Sequence, residues 1–136
     1  MTETIVIGYN DLHYMTEGWH ERSINPVNNL FYRQTTKIAT FKINKSGQNE
    51  IQFLIHASVS LLGKPAKVCL KHDNKIISEF ILDTEAWALR KADISSFPDD
   101  IIEFEIETEE TVIPDKSLHN GDYRELGIDV ASIRLI

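Results

Sequence analysis

Apolar and polar residues alternate with a period of two through most of this chain. Over residues 50–57, Ile51, Phe53, Ile55 and Ala57 share one parity, and Gln52, Leu54 and His56 share the other. Successive side chains of a strand point to opposite faces, so this pattern predicts a half-buried β-strand. Residues 37–43 set Ala39, Phe41 and Ile43 apart from Thr40 and Lys42, with Lys37 leading the run, and residues 66–72 set Val68 and Leu70 apart from Lys67, Cys69 and Lys71. Residues 75–82 are denser in apolar side chains, which predicts a strand covered on both faces. Over residues 101–107, Ile102, Phe104 and Ile106 alternate with Glu103, Glu105 and Glu107, a strand with an acidic outer face. The last run changes phase: Ile128 and Val130 hold one parity, Ile133 and Leu135 the other. A bulge near Ala131-Ser132 restores a single inward face. Residues 4–9 supply one more strand, at an edge.

Turn chemistry separates these runs. Asn25-Pro26, Gly63-Lys64-Pro65, Phe97-Pro98-Asp99-Asp100 and His119-Asn120-Gly121-Asp122 all break regular structure. His72-Asp73-Asn74-Lys75 is the clearest hairpin, because Asp and Asn tolerate the positive φ of a type I′ turn. Residues 84–94 are ambiguous: Thr84-Glu85 is able to cap a helical turn ahead of Ala86, Trp87, Ala88 and Leu89. No other stretch has a convincing helical period. Short strands joined by turns predict an all-β protein, an antiparallel β-sandwich of jelly-roll type with about eight strands, built as one domain over residues 1–136. Register directs Phe53, Ile55, Phe104 and Ile106 into the space between the sheets.

At 136 residues the chain is long enough to bury about two-thirds of its unfolded surface. The net charge of −7 argues against nucleic acid and anionic membranes as partners, because phosphate binding needs clustered Lys and Arg. A neutral polyol or a protein partner is compatible with it. No apolar run approaches the roughly 20 residues of a membrane span. Met1-Thr2-Glu3-Thr4 lacks the basic region of a secretory leader, and the single Cys69 excludes an internal disulfide; both set the expectation of a cytoplasmic protein. Cys69, with Lys67 and Lys71 on its face and no adjacent histidine, is expected to pack rather than react.

Signatures of catalysis are sparse. There is no glycine-rich phosphate loop, nucleophile elbow or H-E-x-x-H helix. The five histidines (His13, His20, His56, His72 and His119) lack short ligand spacing, so neither a metal nor a cofactor is expected. Asp99-Asp100 and Asp115 carry the oxygen chemistry of a calcium loop, but acids in turns are more often simply solvated. Glu103, Glu105 and Glu107 share one strand face instead of facing across a cleft.

Binding chemistry is richer. Aromatic rings with a few polar groups are the furniture of a sugar site, the rings stacking on C–H faces. Trp19 stands among Glu17, Gly18, His20, Glu21 and Arg22, and Trp87 stands beside a long crossing segment. A tryptophan more often packs on a core, and that alternative stands for both. Tyr123 and Arg124 lie in a polar loop before the last strand. Arg124 either contacts ligand or clamps the loop by pairing with Asp122 or Glu21, and Gly127 is expected to mark a bend or a close backbone approach. His56, on one strand face with Gln52, either lines a ligand or faces solvent.

Gly18-Trp19 with Glu21, Phe31-Tyr32-Arg33, Ile113-Pro114-Asp115 and the run Asp122-Tyr123-Arg124-Glu125-Leu126-Gly127 into Ile133-Arg134-Leu135-Ile136 carry a resemblance. Over residues 18–136 the chain resembles the carbohydrate-binding-module-like β-sandwich domains that accompany bacterial polysaccharide glycosyltransferases. The resemblance favours a strand entering a crossing loop over residues 84–94, in place of a helical turn. It implies a non-catalytic glycan-recognition module assisting such an enzyme; the residues themselves give Trp19, Trp87, Tyr123, Arg124 and His56 as candidate ligand contacts. A protein-interaction or homo-oligomerisation module and a small metal-dependent enzyme are the alternatives.

Overall fold

A strand with one apolar side must bury that side against a second layer. The structure, a computed structural model, describes residues 4–136; the Met1-Thr2-Glu3 part of the leader reading lies outside them. Among the described residues ten strands run in chain order: β1 Thr4–Val6, β2 Trp19–Ile24, β3 Phe31–Thr35, β4 Ile38–Asn44, β5 Glu50–His56, β6 Ala66–His72, β7 Lys75–Leu82, β8 Ala88–Asp93, β9 Ile101–Thr108 and β10 Asp129–Leu135. A six-stranded sheet has the order β2-β3-β10-β5-β8, with β1 also on β10, and a four-stranded sheet has the order β4-β9-β6-β7. Every pairing is antiparallel. The protein is an all-β, two-sheet sandwich.

Side chains from both sheets meet between them. Phe41 of β4 lies 5.7 Å, ring to ring, from Phe104 of β9 and 6.1 Å from Phe53 of β5, across the sheet interface. Phe53, Ile55, Phe104 and Ile106 are all buried, as the alternation predicts. The β10 register shifts between Val130 and Ser132, so Val130 and Ile133 both face inward through the expected bulge. Asp73 and Asn74 take φ of 48° and 64°, the positive values foreseen for the β6–β7 hairpin.

The structure departs from the sequence reading in particular places. Residues 75–82 form an edge strand, not one covered on both faces: β7 pairs only with β6, and Ile76 and Ile81 are more than half exposed. The strands β2 and β3 were not visible as alternation. Their inward positions include Arg22 and Arg33, which meet the 8–13 loop instead of the opposing sheet, so no apolar parity marks them. Over residues 84–94 the strand alternative holds, as β8, and residues 84–87 form no helical turn; single helical turns, not foreseen, occur at α1 Val59–Leu62 and α2 Pro114–Leu118, with a 3₁₀ turn at Asp11–His13. Cys69 lies partly exposed on the outer face of the four-stranded sheet, not in the core; burial, with Glu79 nearby, raises its thiol pKa, which keeps it poorly nucleophilic.

Candidate functional site

The outward positions of the six-stranded sheet converge on one row. Asp129 at the start of β10 stands opposite Gln34 of β3 on one side and His56 of β5 on the other. The β5–β8 ladder pairs Leu54 with Leu89 and Ile55 with Ala88, and one further step sets Trp87 against His56. The Trp87 ring lies 5.2 Å from the His56 ring at an interplanar angle of 33°. Tyr32, outward on β3, meets Trp87 edge to face at 5.7 Å. Leu54 and Leu89 extend the apolar patch along the strands.

The imidazole is fixed at both nitrogens. His56 Nδ1 donates to Asp129 Oδ2 at 2.7 Å, and Nε2 lies 3.5 Å from Glu85 Oε2. The Asp129 hydrogen bond raises the His56 pKa against the opposing effect of burial, and the Glu85 charge adds to the rise. Glu85 also accepts the Ser60 backbone N–H at 2.6 Å; the Ser60 hydroxyl first, and then that backbone bond, lower its own pKa. Burial pushes the Tyr32 phenol up, and the Asp129 carboxylate reinforces it. Trp87 therefore rests on a ring that cannot turn.

The loop before β10 borders this row. The isolated bridge between Val112 and Leu126 closes its base, and Asp115 Oδ1 accepts the Gly121 N–H at 2.7 Å. Arg124 grips Asp122 with two donors, Nε to Oδ1 at 2.9 Å and Nη2 to Oδ2 at 2.7 Å. Its Nη1 donates to Gln34 Oε1 at 3.0 Å, which ties the loop to the row. The guanidinium holds the Asp122 pKa down to about 2. The clamp expected of Arg124 is present, with Asp122 as its carboxylate. Gly127 makes the expected close approach: a Cβ there would come within 2.4 Å of Thr35 Oγ1 and 2.6 Å of the Thr36 carbonyl oxygen.

Of the five residues named from sequence, His56 and Trp87 touch, and Arg124 reaches the row through Gln34. Tyr123 projects from the loop, 74% exposed. Trp19 is not brought to this face. It pairs with Thr35, whose side chain is buried, packs against the core and donates its indole N–H to the Thr40 carbonyl at 2.7 Å. Tyr32, Gln34, Glu85 and Asp129 escaped the sequence reading. The alternation of Tyr32 and Gln34 would have exposed them had residues 31–35 been read as a strand, and Asp129 has the parity opposite to Val130.

No group of three His, Cys, Asp or Glu side chains able to hold a metal occurs among the described residues. Asp99, one of the carboxylates with calcium chemistry, instead accepts from Lys45 Nζ at 3.0 Å and from the Gly47 N–H at 2.9 Å.

Among solved structures the chain is similar to the CBM36-1 domain of a multidomain xylanase from the hindgut metagenome of Trinervitermes trinervoides. The TM-score is 0.58 at 12% identity, covering 100% of this chain and 97% of that one. The fold is that of a carbohydrate-binding module. The module CBM6cm-2 of Cellvibrio mixtus lichenase 5A, solved in complex with cellotriose, matches with TM-score 0.53 at 9% identity over 97% of this chain and 94% of that one. A variant of CBM29-2, from family 29 of these modules, matches at 0.50 with 7% identity over 100% and 91%. At such identities the likeness is one of fold. No family model and no curated protein matches the chain.

Proposed function

We propose that this protein is a non-catalytic module that binds a neutral glycan on the outer face of its six-stranded sheet. The observation that carries the reading is Trp87, half-buried yet outward, braced by His56 and Tyr32 in a row that ends in hydrogen-bonding groups. A pyranose laid on Trp87 would stack its C–H face on the indole, while Asp129, Gln34 and Arg124 are placed to receive or donate hydroxyl hydrogen bonds. Because His56 already holds Asp129 and Glu85, and Arg124 holds Asp122, little side-chain entropy is left to lose on binding. Tyr123, exposed beside Arg124 on the loop, would add a further ring to such a ligand.

The module would serve a carbohydrate-active enzyme. A polysaccharide glycosyltransferase fits the motif resemblance, and the named structural matches include modules of a xylanase and a lichenase. A glycan array followed by calorimetry with the best neutral oligosaccharide, cellotriose among those tried, tests the reading. Trp87→Ala should weaken binding by roughly 30-fold or more, as for a central aromatic anchor. Unchanged affinity in that variant, or an array without a hit, would overturn it. A second reading, a protein partner or a second copy pairing along the sheet edge, has one observation in its favour: Ile76 and Ile81 lie exposed on the edge strand β7. Sedimentation showing a concentration-dependent dimer that Ile81→Lys abolishes would support it.

A further inference from the structure

Away from the Trp87 row, the 8–13 loop closes one side of the sandwich over the inward side chains of β2 and β3. It leaves a hollow of about 410 Å³ lined by Gly8, Tyr9, Asp11, His13, Arg22 and Arg33, among others. Two arginines stand directly opposite each other there, since Arg22 and Arg33 are cross-strand partners. Like charges at such a position repel and are ordinarily avoided.

Only one of the two is neutralised. Arg33 Nε donates to Asp11 Oδ2 at 2.5 Å and its Nη1 to the His20 carbonyl at 2.9 Å. Asp11, 3% exposed, also accepts the Gly8 N–H at 3.0 Å, so its carboxylate is fully engaged. Gly8 has a φ of +89°, and a Cβ on it would meet the Phe31 ring at 3.0 Å, so the loop is held tightly against β3. Arg22 lies with its guanidinium carbon 4.7 Å from the centre of the Phe31 ring and makes no hydrogen bond or ion pair among the described residues. Stacking on a ring fixes the plane of the guanidinium while leaving its N–H edge free, and a free planar fork matches a carboxylate. Tyr9, 78% exposed, touches Phe31 edge to face at 6.3 Å and offers its own ring at the rim.

We propose that this hollow is a second binding site, one that takes the carboxylate of a sugar acid such as a hexuronate. Arg22 supplies the charge and the paired donors, and Tyr9 supplies a stacking surface for the ring. The hollow has the volume of a small-molecule site and exceeds what a bare carboxylate fills, which is why a sugar acid suits it better than a simple anion. In a chain of net charge −7, Arg22, whose charge no carboxylate among the described residues offsets, is the local feature able to draw an anion to this spot.

The site is separate from the Trp87 row, and its test is separate too. Amide spectra of the whole chain would be followed during titration with sodium glucuronate, glucose and sodium acetate. Glucuronate should move the signals of Gly8, Tyr9, Asp11 and Arg22 saturably, with acetate at least about tenfold weaker and glucose silent there. Arg22→Gln should cost roughly tenfold or more in glucuronate affinity, the loss expected for a charged hydrogen bond, with an unchanged melting temperature and an unchanged response of the Trp87 row to neutral oligosaccharide. Equal affinity for acetate, equal shifts with glucose, or an Arg22→Gln protein that binds glucuronate normally would each overturn the proposal. Arg33→Gln is avoided, because it strands the buried Asp11 carboxylate.

Discussion

On the outer face of the four-stranded sheet, Lys42 and Glu103, Lys71 and Glu107, and Lys67 and Glu79 pair at 2.9–3.8 Å. On the outer face of the six-stranded sheet, Trp87, Tyr32 and His56 share ring contacts, and Asp129, Glu85, Gln34 and Arg124 surround them. Both faces come from the same alternation, yet the solvent-side residues behave differently. The Lys42–Glu103 and Lys67–Glu79 pairs are about half exposed and the Lys71–Glu107 pair less so; all lie at the surface and satisfy one another, so they add little stability. On the second face, polar groups hold each other still around a ring whose outer surface is free. A face that fixes its hydrogen bonds in advance is prepared for a ligand; a lattice of solvated pairs is not.

The largest effect lies beneath both faces. Phe104→Ala should cost about 3 to 5 kcal/mol, the range for a buried aromatic, measured by urea unfolding. A mutant as stable as its parent would break the sandwich register on which both faces depend.

Arg124→Lys comes next. Lysine lacks the planar fork, so both Asp122 contacts and the Gln34 link are lost, but the pair is partly exposed and the cost should be about 1 kcal/mol or less. The pH sign follows from Asp122. Its pKa is lowered from 3.8 to about 2, so its contribution is complete above 3.8 and disappears as the pH falls through 2. Melting temperatures of parent and variant should therefore converge near pH 2, and a gap that persists there would count against the clamp.

His56 gives the opposite sign. Its pKa is raised above 6.5, chiefly by the Asp129 hydrogen bond, so its contribution is complete below 6.5 and is lost as the pH climbs through the raised value. His56→Gln should flatten that decline in melting temperature above pH 6.5; a decline of the same slope would assign it to another group. The smallest effect belongs to the ion-pair face. Glu103→Gln should change stability by no more than about 0.5 kcal/mol and leave glycan binding intact, and a larger effect on either would erase the contrast between the faces.

The legible parts of this fold were those where one side of a strand meets the other sheet. β4, β5, β6, β9 and β10 announce themselves because Phe41, Phe53, Val68, Phe104 and Ile133 must be buried at alternate positions. β2 and β3 did not, because Arg33 reaches an Asp11 carried by a loop 22 residues earlier, a polar interior that no periodicity encodes. The site was legible to the same extent. His56 could be placed on an outward parity, but the partner that gives it meaning, Asp129, arrives 73 residues later through β10. Trp19 and Trp87 look alike in sequence, and only the packing of Trp19 over Thr40 separates core from face.

The central claim is that the Trp87 face, and not the ion-pair face, engages a neutral glycan. Titrating cellotriose, or the best neutral oligosaccharide from an array, against the isotope-labelled protein tests it most directly. The account predicts that the largest shifts fall on the Trp87 indole N–H and on the amides of Gln34, His56 and Asp129, with Lys71, Glu103 and Glu107 unmoved. Shifts concentrated on those three residues, or none at saturating sugar, would contradict it.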